Sequence, residues 1–349
     1  MVKTSLCVPF VAALSAALAA QSPGTPENRS EMAPSALSGA PGGGLGALSF
    51  ERLRELSRQE PDYSLRGLFL QEHGDFVLKS ERYSPMAEFS LALLPNYEIQ
   101  NEPGSFDMIY ARADIEYPLT VAPDGYLILG AYGSNRHYEA KAMSGFGDDN
   151  LSSAGVKLGF GAFLDRDVLL EVKIEPGLWS DMDGSFKHQD YDMPGSAIVT
   201  WRAGDDAFFK LGMRYNQVYK EAPWLPYLGV SWAINENFRI DVMLPETVEV
   251  SWWPESSLGF LLGVDIDGAQ YRMRTSAATG RQRANAQVQE IVAYCGLISR
   301  MSDNFSLIGR AGANVAGDYH LTNGDASGGF ADGTLDPGLF AEISFGIDF

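Results

Sequence analysis

Cysteine is nearly absent from the chain. Two occur in 349 residues, Cys7 and Cys295, and the first lies in an N-terminal stretch that reads as removable. No disulfide within one mature chain is then possible. Histidine is almost as scarce, limited to His73, His137, His188 and His320, and no Ser, His and Asp or Asn arrangement resembles a hydrolytic triad. Positive charge is also short: 26 Lys and Arg stand against 45 Asp and Glu, a formal net charge of −19. That balance argues against nucleic acid as a partner, because phosphate needs a basic surface. No run of eighteen apolar residues follows the N-terminal stretch, which excludes helical membrane spans. A membrane protein of this sequence must therefore cross with strands.

What is present begins with Met1 to Ala20, which has one cation, Lys3, an apolar run from Leu6 to Leu14, and a small-residue end at Ala17-Leu18-Ala19. This is the layout of a secretory signal peptide, with cleavage expected after Ala19 or Ala20. Loss of Lys3 would take the charge from −19 to −20. Residues 21–48 are rich in Ala, Gly, Pro and Ser and read as a flexible linker. In Ser49 to Arg58 the spacing of Phe50, Leu53 and Leu56 predicts a short helix with Ser49 as N-cap. The whole of 49–85 is expected to be a pre-barrel segment, either periplasmic or plugging a lumen, ahead of strands over 86–349.

Strand periodicity is clearest at the C-terminus. In Gly338 to Phe349, GLFAEISFGIDF, the residues Leu339, Ala341, Ile343, Phe345, Ile347 and Phe349 are apolar at every second position, and only Phe340 breaks the pattern. A period of two puts them on one face of a strand. Similar outward sets recur along the chain, among them Leu91 and Leu93, Val156 to Phe160, Phe209 to Met213, Leu228 to Ile234, and Cys295 with Leu297. Facing the other way are Arg112, Asp114, Glu116, Glu171, Lys173, Lys210, Arg214, Arg239, Asp241, Glu249 and Arg310. Cys295 thus reads as a small lipid-facing residue.

Connection lengths separate a barrel from a soluble sandwich. Short turns fall at 122–125, 165–167, 204–206, 235–237, 254–257 and 302–304. Between them lie connections expected to be long loops, at 96–105, 134–150, 177–194, 217–222, 268–287 and 317–337. Alternation of tight turns and long loops is the rule of membrane barrels. One exception, a short connection at 245–247, leaves fourteen strands if its flanking pair is real and twelve if not. The expected fold is therefore all-β, a transmembrane antiparallel up-and-down β-barrel of about fourteen strands with a short helical or irregular N-terminal segment. Tyr117, Trp201, Trp232, Trp252, Phe305 and Phe349 share outward parity near the short turns, as membrane-interface aromatics would.

The terminal Phe349 on an alternating strand resembles the closing strand of bacterial outer-membrane β-barrel proteins. The pattern over 86–349 looks most like one of the uncharacterised barrel families. That resemblance implies a cell outer membrane location, lipid and lipopolysaccharide as surroundings, and recognition of the last strand by the barrel assembly machinery. The candidate lumen residues are Arg112, Glu116, Glu171, Lys173, Lys210, Arg214, Arg239, Asp241 and Arg310, with structural ladders across the wall as their plainer reading. Neither a catalytic site, a metal site nor a cofactor is expected. The acids Asp181, Asp183, Asp190 and Asp192 lack the spacing of a calcium loop and read as solvated loop charge. The expected function is a passive channel or small-molecule transporter. The alternatives are a structural or surface-binding barrel with a closed lumen, and uptake of hydrophobic compounds, the last by similarity to the fatty-acid transporter family.

Overall fold

The computed structural model describes residues 64–80, 86–98, 100, 105–141, 149–182, 186, 188–216, 223–275, 282–302, 304–323 and 329–348. The chain divides into units 1–40 and 41–349, and every described residue lies in the second. The helix expected at Ser49 to Arg58, the linker and Phe349 lie outside the described residues.

Among the described residues one helix, α1 (Leu65–Ser80), precedes the strands. Ser64 starts it, its Oγ accepting a hydrogen bond from the Gly67 N–H at 3.0 Å and so satisfying one of the amides that a helix start leaves free. Then come β1 (Ala87–Glu98), β2 (Ser105–Ala122), β3 (Gly125–Lys141), β4 (Asp149–Asp165), β5 (Val168–Ile174) and β6 (Gly177–Ser180). The middle of the chain makes β7 (Tyr191–Asp192), β8 (Gly195–Arg202), β9 (Ala207–Tyr215), β10 (Trp224–Asn235), β11 (Phe238–Leu244) and β12 (Thr247–Glu255). The last are β13 (Leu258–Thr275), β14 (Gln282–Ser302), β15 (Phe305–Asn323), β16 (Gly329–Leu335) and β17 (Gly338–Ile347). Pairing runs between chain neighbours and closes when β1 meets β17, Ala87 opposite Ile347 through Leu93 opposite Ala341. Closure leaves the sheet without an edge.

These segments form a closed antiparallel barrel of fourteen strands, because β5 with β6, β7 with β8, and β16 with β17 are each one strand interrupted once. A proline sits at every interruption: Pro176, Pro194 and Pro337. Lacking an N–H, proline cannot donate to the ladder, and the strand breaks there. The doubtful pair is real: β11 and β12 form a hairpin with a two-residue turn at 245–246.

Alternation reads correctly through the lower barrel. Leu91, Leu129, Val156, Leu211, Leu228, Leu262 and Ile343 are exposed on the outside, while Tyr126, Ile128, Phe208 and Ser344 between such residues are buried inside. Phe340, the break in the last strand, turns inward against the core. Three of the six connections expected to be long loops, 134–150, 268–287 and 317–337, are largely strand in their described residues. Residues 134–141, 268–275, 282–287 and 317–323 continue their ladders beyond the barrel body. The wall is consequently tall on one side, with strands of 17 to 21 residues in β13 to β15 and β2 to β4, and low on the other, with 7 to 9 in β8, β9, β11 and β12.

At the Pro176 break the tall side folds over. β6 stays paired with β4, from Gly155 opposite Gly177 to Ser152 opposite Ser180, and on its other side meets β13 across the barrel, where the Asp181 N–H donates to the Arg272 carbonyl at 2.9 Å. Two glycines allow this: a Cβ on Gly155 or Gly177 would collide with the Tyr132 hydroxyl, which donates to the Glu175 carbonyl at 3.0 Å. Above the break, β13 to β16, β1 to β4 and β6 therefore form a narrower turret. Its interior is one cluster with residues from almost every strand, including Tyr97, Phe106, Tyr138, Leu151, Tyr271, Tyr319 and Leu335, against which Trp179 of β6 packs.

Candidate functional site

The lumen has three levels. At the short-turn end lies α1, whose buried face is Phe69, His73, Phe76, Val77 and Ser80, spaced as one face of a helix must be. Phe69 and Phe76 pack among Tyr126, Ile128, Phe163, Leu169 and Phe208, the inward side chains of β3, β4, β5 and β9 nearest the turns. The helix is tied to the β8–β9 turn as well. Lys79 Nζ lies 2.8 Å from Asp206 and 3.3 Å from Asp75, and Asp75 in turn pairs with Arg202 at 3.1 Å.

At the opposite end is the turret cluster, and beneath it Arg136, 1% exposed along its side chain. From β3 its guanidinium reaches across to Asp267 of β13 at 2.6 Å and Glu290 of β14 at 3.5 Å, and it lies 4.5 Å over the Tyr110 ring. A buried cation so placed is stable only because both carboxylates are there to meet it.

Between these levels is a cavity of about 540 Å³. Ala92, Leu94 and Met108 of the turret cluster bound it above, and Val77, Tyr126 and Ile128 bound it below. Its wall carries a ladder of charge. Arg112 meets Asp114 at 3.3 Å, Asp114 meets Lys157 at 2.7 Å, Lys157 meets Glu116 at 3.4 Å, and Glu116 meets Lys173 at 2.7 Å. Glu171 accepts from the Tyr126 hydroxyl at 2.9 Å, and Arg310 pairs with Glu342 at 3.0 Å.

Arg112, Glu116, Glu171, Lys173, Lys210 and Arg310, all expected in the lumen, line this one cavity. Arg214 bonds to the Tyr227 hydroxyl at 3.0 Å and to Glu246, while Arg239 clasps Asp241 of its own strand at 2.6 and 2.7 Å. Most of the candidates thus stand in cross-strand ladders, with Arg112 the most open, its side chain 52% exposed within the cavity. Of the aromatics, Trp232, Trp252 and Phe305 are exposed and Tyr117 and Trp201 half-buried. Trp201 stacks on Phe209, Trp252 on Phe260 and Phe305 on Phe345.

Sequence reasoning missed Arg136, Lys157, Asp267, Glu290 and Glu246. Arg136 falls inside the expected loop at 134–150, and Lys157 lies among the glycines of the run 155–163. Gly161 of that run leaves the space that the Tyr126 ring occupies. Carrying inward parity past residue 133 of β3 would have found both Arg136 and Tyr138. Among the described residues no three His, Cys, Asp or Glu side chains are grouped as a metal ion would need.

No family model and no curated protein matches the chain. Among solved structures it is similar to a monoaromatic hydrocarbon channel, TodX, in its deltaS2 mutant form, at 9% identity and a TM-score of 0.39, over 76% of this chain and 91% of that one. The deltaS2S3 mutant of the same channel matches at 8% identity and a TM-score of 0.31, over 75% and 90%. Likeness this loose has no bearing on function.

Proposed function

We propose that the protein is an outer-membrane barrel that serves as a passive channel or small-molecule transporter. One observation carries this reading: a charged cavity stands in the middle of the barrel, and one of its two closures is a helix that belongs to no strand. Filled barrels of about eight strands have no such space, and fourteen leave room for one. The exposed apolar outer face supports residence in lipid, since a belt of that kind is costly in water. The signal-like N-terminus supports export, and the alternating β17 supports handling by the assembly machinery, with lipopolysaccharide as the outer surround. The role is non-catalytic, and the kinship is with outer-membrane barrels of uncharacterised families.

The purified protein in planar bilayers should pass current, and more of it when residues 49–85 are deleted. Eight carboxylates and five cationic groups line the cavity, so a potassium chloride gradient should give a reversal potential of cation-preferring sign. Silence from both chains across salts and pH would sink the reading. It would favour a barrel with a closed lumen, which the filled turret supports.

A further inference from the structure

His73 is the one titratable group on the buried face of α1 between Phe69 and Phe76. It is 3% exposed, and neither ring nitrogen has a hydrogen-bond partner. Its ring lies flat on Phe163 of β4, centroids 3.7 Å apart and planes within 10°, with Phe69 at 5.4 Å. A neutral imidazole fits such a slot as an aromatic ring does. An imidazolium does not, because it brings two N–H donors and a charge to a place with no acceptor.

We infer that His73 is an acid-sensitive catch: neutral, it lets α1 seat in the short-turn end of the lumen, and protonated, it unseats the helix. The charged groups facing it are Glu72 of its own helix, Asp124 of the β2–β3 turn and Arg166 of the β4–β5 turn. Burial holds the imidazole below its ordinary value of 6.5, Arg166 adding to that shift and the two carboxylates opposing it. The sign follows. A base whose folded value is depressed takes up fewer protons folded than free, so the docked state loses stability as pH falls below 6.5. The remaining ties of the helix run from Lys79 to Asp206 and Asp75 and from Arg202 to Asp75, on the side of α1 away from the His73 ring's stack on Phe163. The inference rests on the proposed passage only for its consequence, that acid opens the lumen from the short-turn side.

The test is a nitroxide spin label at Gln71→Cys, an exposed site on α1, in the full chain with Cys7 and Cys295 changed to Ser. Between pH 7.5 and 5 the mobile fraction should rise several-fold with a midpoint below 6.5, and His73→Phe, which keeps the stack and has nothing to titrate, should stay immobile. A flat wild-type profile, or the same transition in His73→Phe, overturns the inference. Should His73→Phe not fold, the turn residues decide: Asp124→Asn, which removes a carboxylate that eases the docked imidazolium, should move the midpoint to higher pH, and Arg166→Gln, which removes a repelling cation, to lower. Unmoved midpoints also overturn it. Bilayer current recorded alongside separates the two proposals, since a helix that unseats without current leaves the catch standing and removes the channel.

Discussion

At the long-hairpin end the lumen is filled by side chains that the strands themselves carry inward, whereas at the short-turn end it is filled by a helix from ahead of the first strand. The first filling is inseparable from the wall. Tyr97, Tyr138, Tyr271 and Tyr319 belong to β1, β3, β13 and β15, and Arg136 joins β3 to β13 and β14. The second takes no part in any ladder of the barrel. Wall and filling are thus two pieces at one end and one piece at the other.

Changes at each end should therefore break different things. Deleting residues 49–85 should have the largest effect on passage, raising conductance by at least an order of magnitude while the protein still migrates as a folded, heat-modifiable barrel on gels. Arg136→Ala should do the reverse, leaving passage closed and the barrel weak. It strands Asp267 and Glu290 in the interior, a loss of about 3–5 kcal/mol that would appear as a lower urea midpoint for the folded band. Phe69→Ala, at a side chain with 0% exposure, should cost a similar ~3–5 kcal/mol, but taken from helix docking. Protease should then cut α1 while the barrel's urea midpoint holds. Asp75→Asn, which removes the half-exposed partner of Lys79 and Arg202, should cost less than about 1 kcal/mol, a difference erased by high salt. If Phe69→Ala and Arg136→Ala lowered the barrel midpoint equally, the two ends would not be separable.

The lower barrel was legible because one rule holds there, apolar outward, from Leu91 through Leu129, Val156, Leu211, Leu228 and Leu262 to Ile343. Above the lower barrel the rule inverts. In β3, Leu127 and Leu129 face outward low on the strand, while higher up Tyr138 faces inward and Glu139 is exposed. Read with a single rule, the upper halves look patternless and pass for loops. Helix α1 was hidden for another reason: its buried stripe includes a histidine, and Gly67 and Gly74 dilute its helix propensity, whereas the better-patterned 49–58 drew attention. Contacts across the barrel, such as Arg136 to Asp267, join residues 131 positions apart, and no local pattern encodes them.

The seven-residue β11 reaches only about 18 Å along the barrel axis at a usual tilt, well short of a hydrophobic band of roughly 25 Å. In the proposed membrane setting, lipid beside it would have to thin or dip to meet the Pro245–Glu246 corner, whereas beside β14 it could keep its full depth. The annulus such a membrane would form around it is therefore lopsided. A molecule with so uneven a collar should lean in its bilayer, tipping towards the shallow side, and should prefer a thin membrane to a thick one.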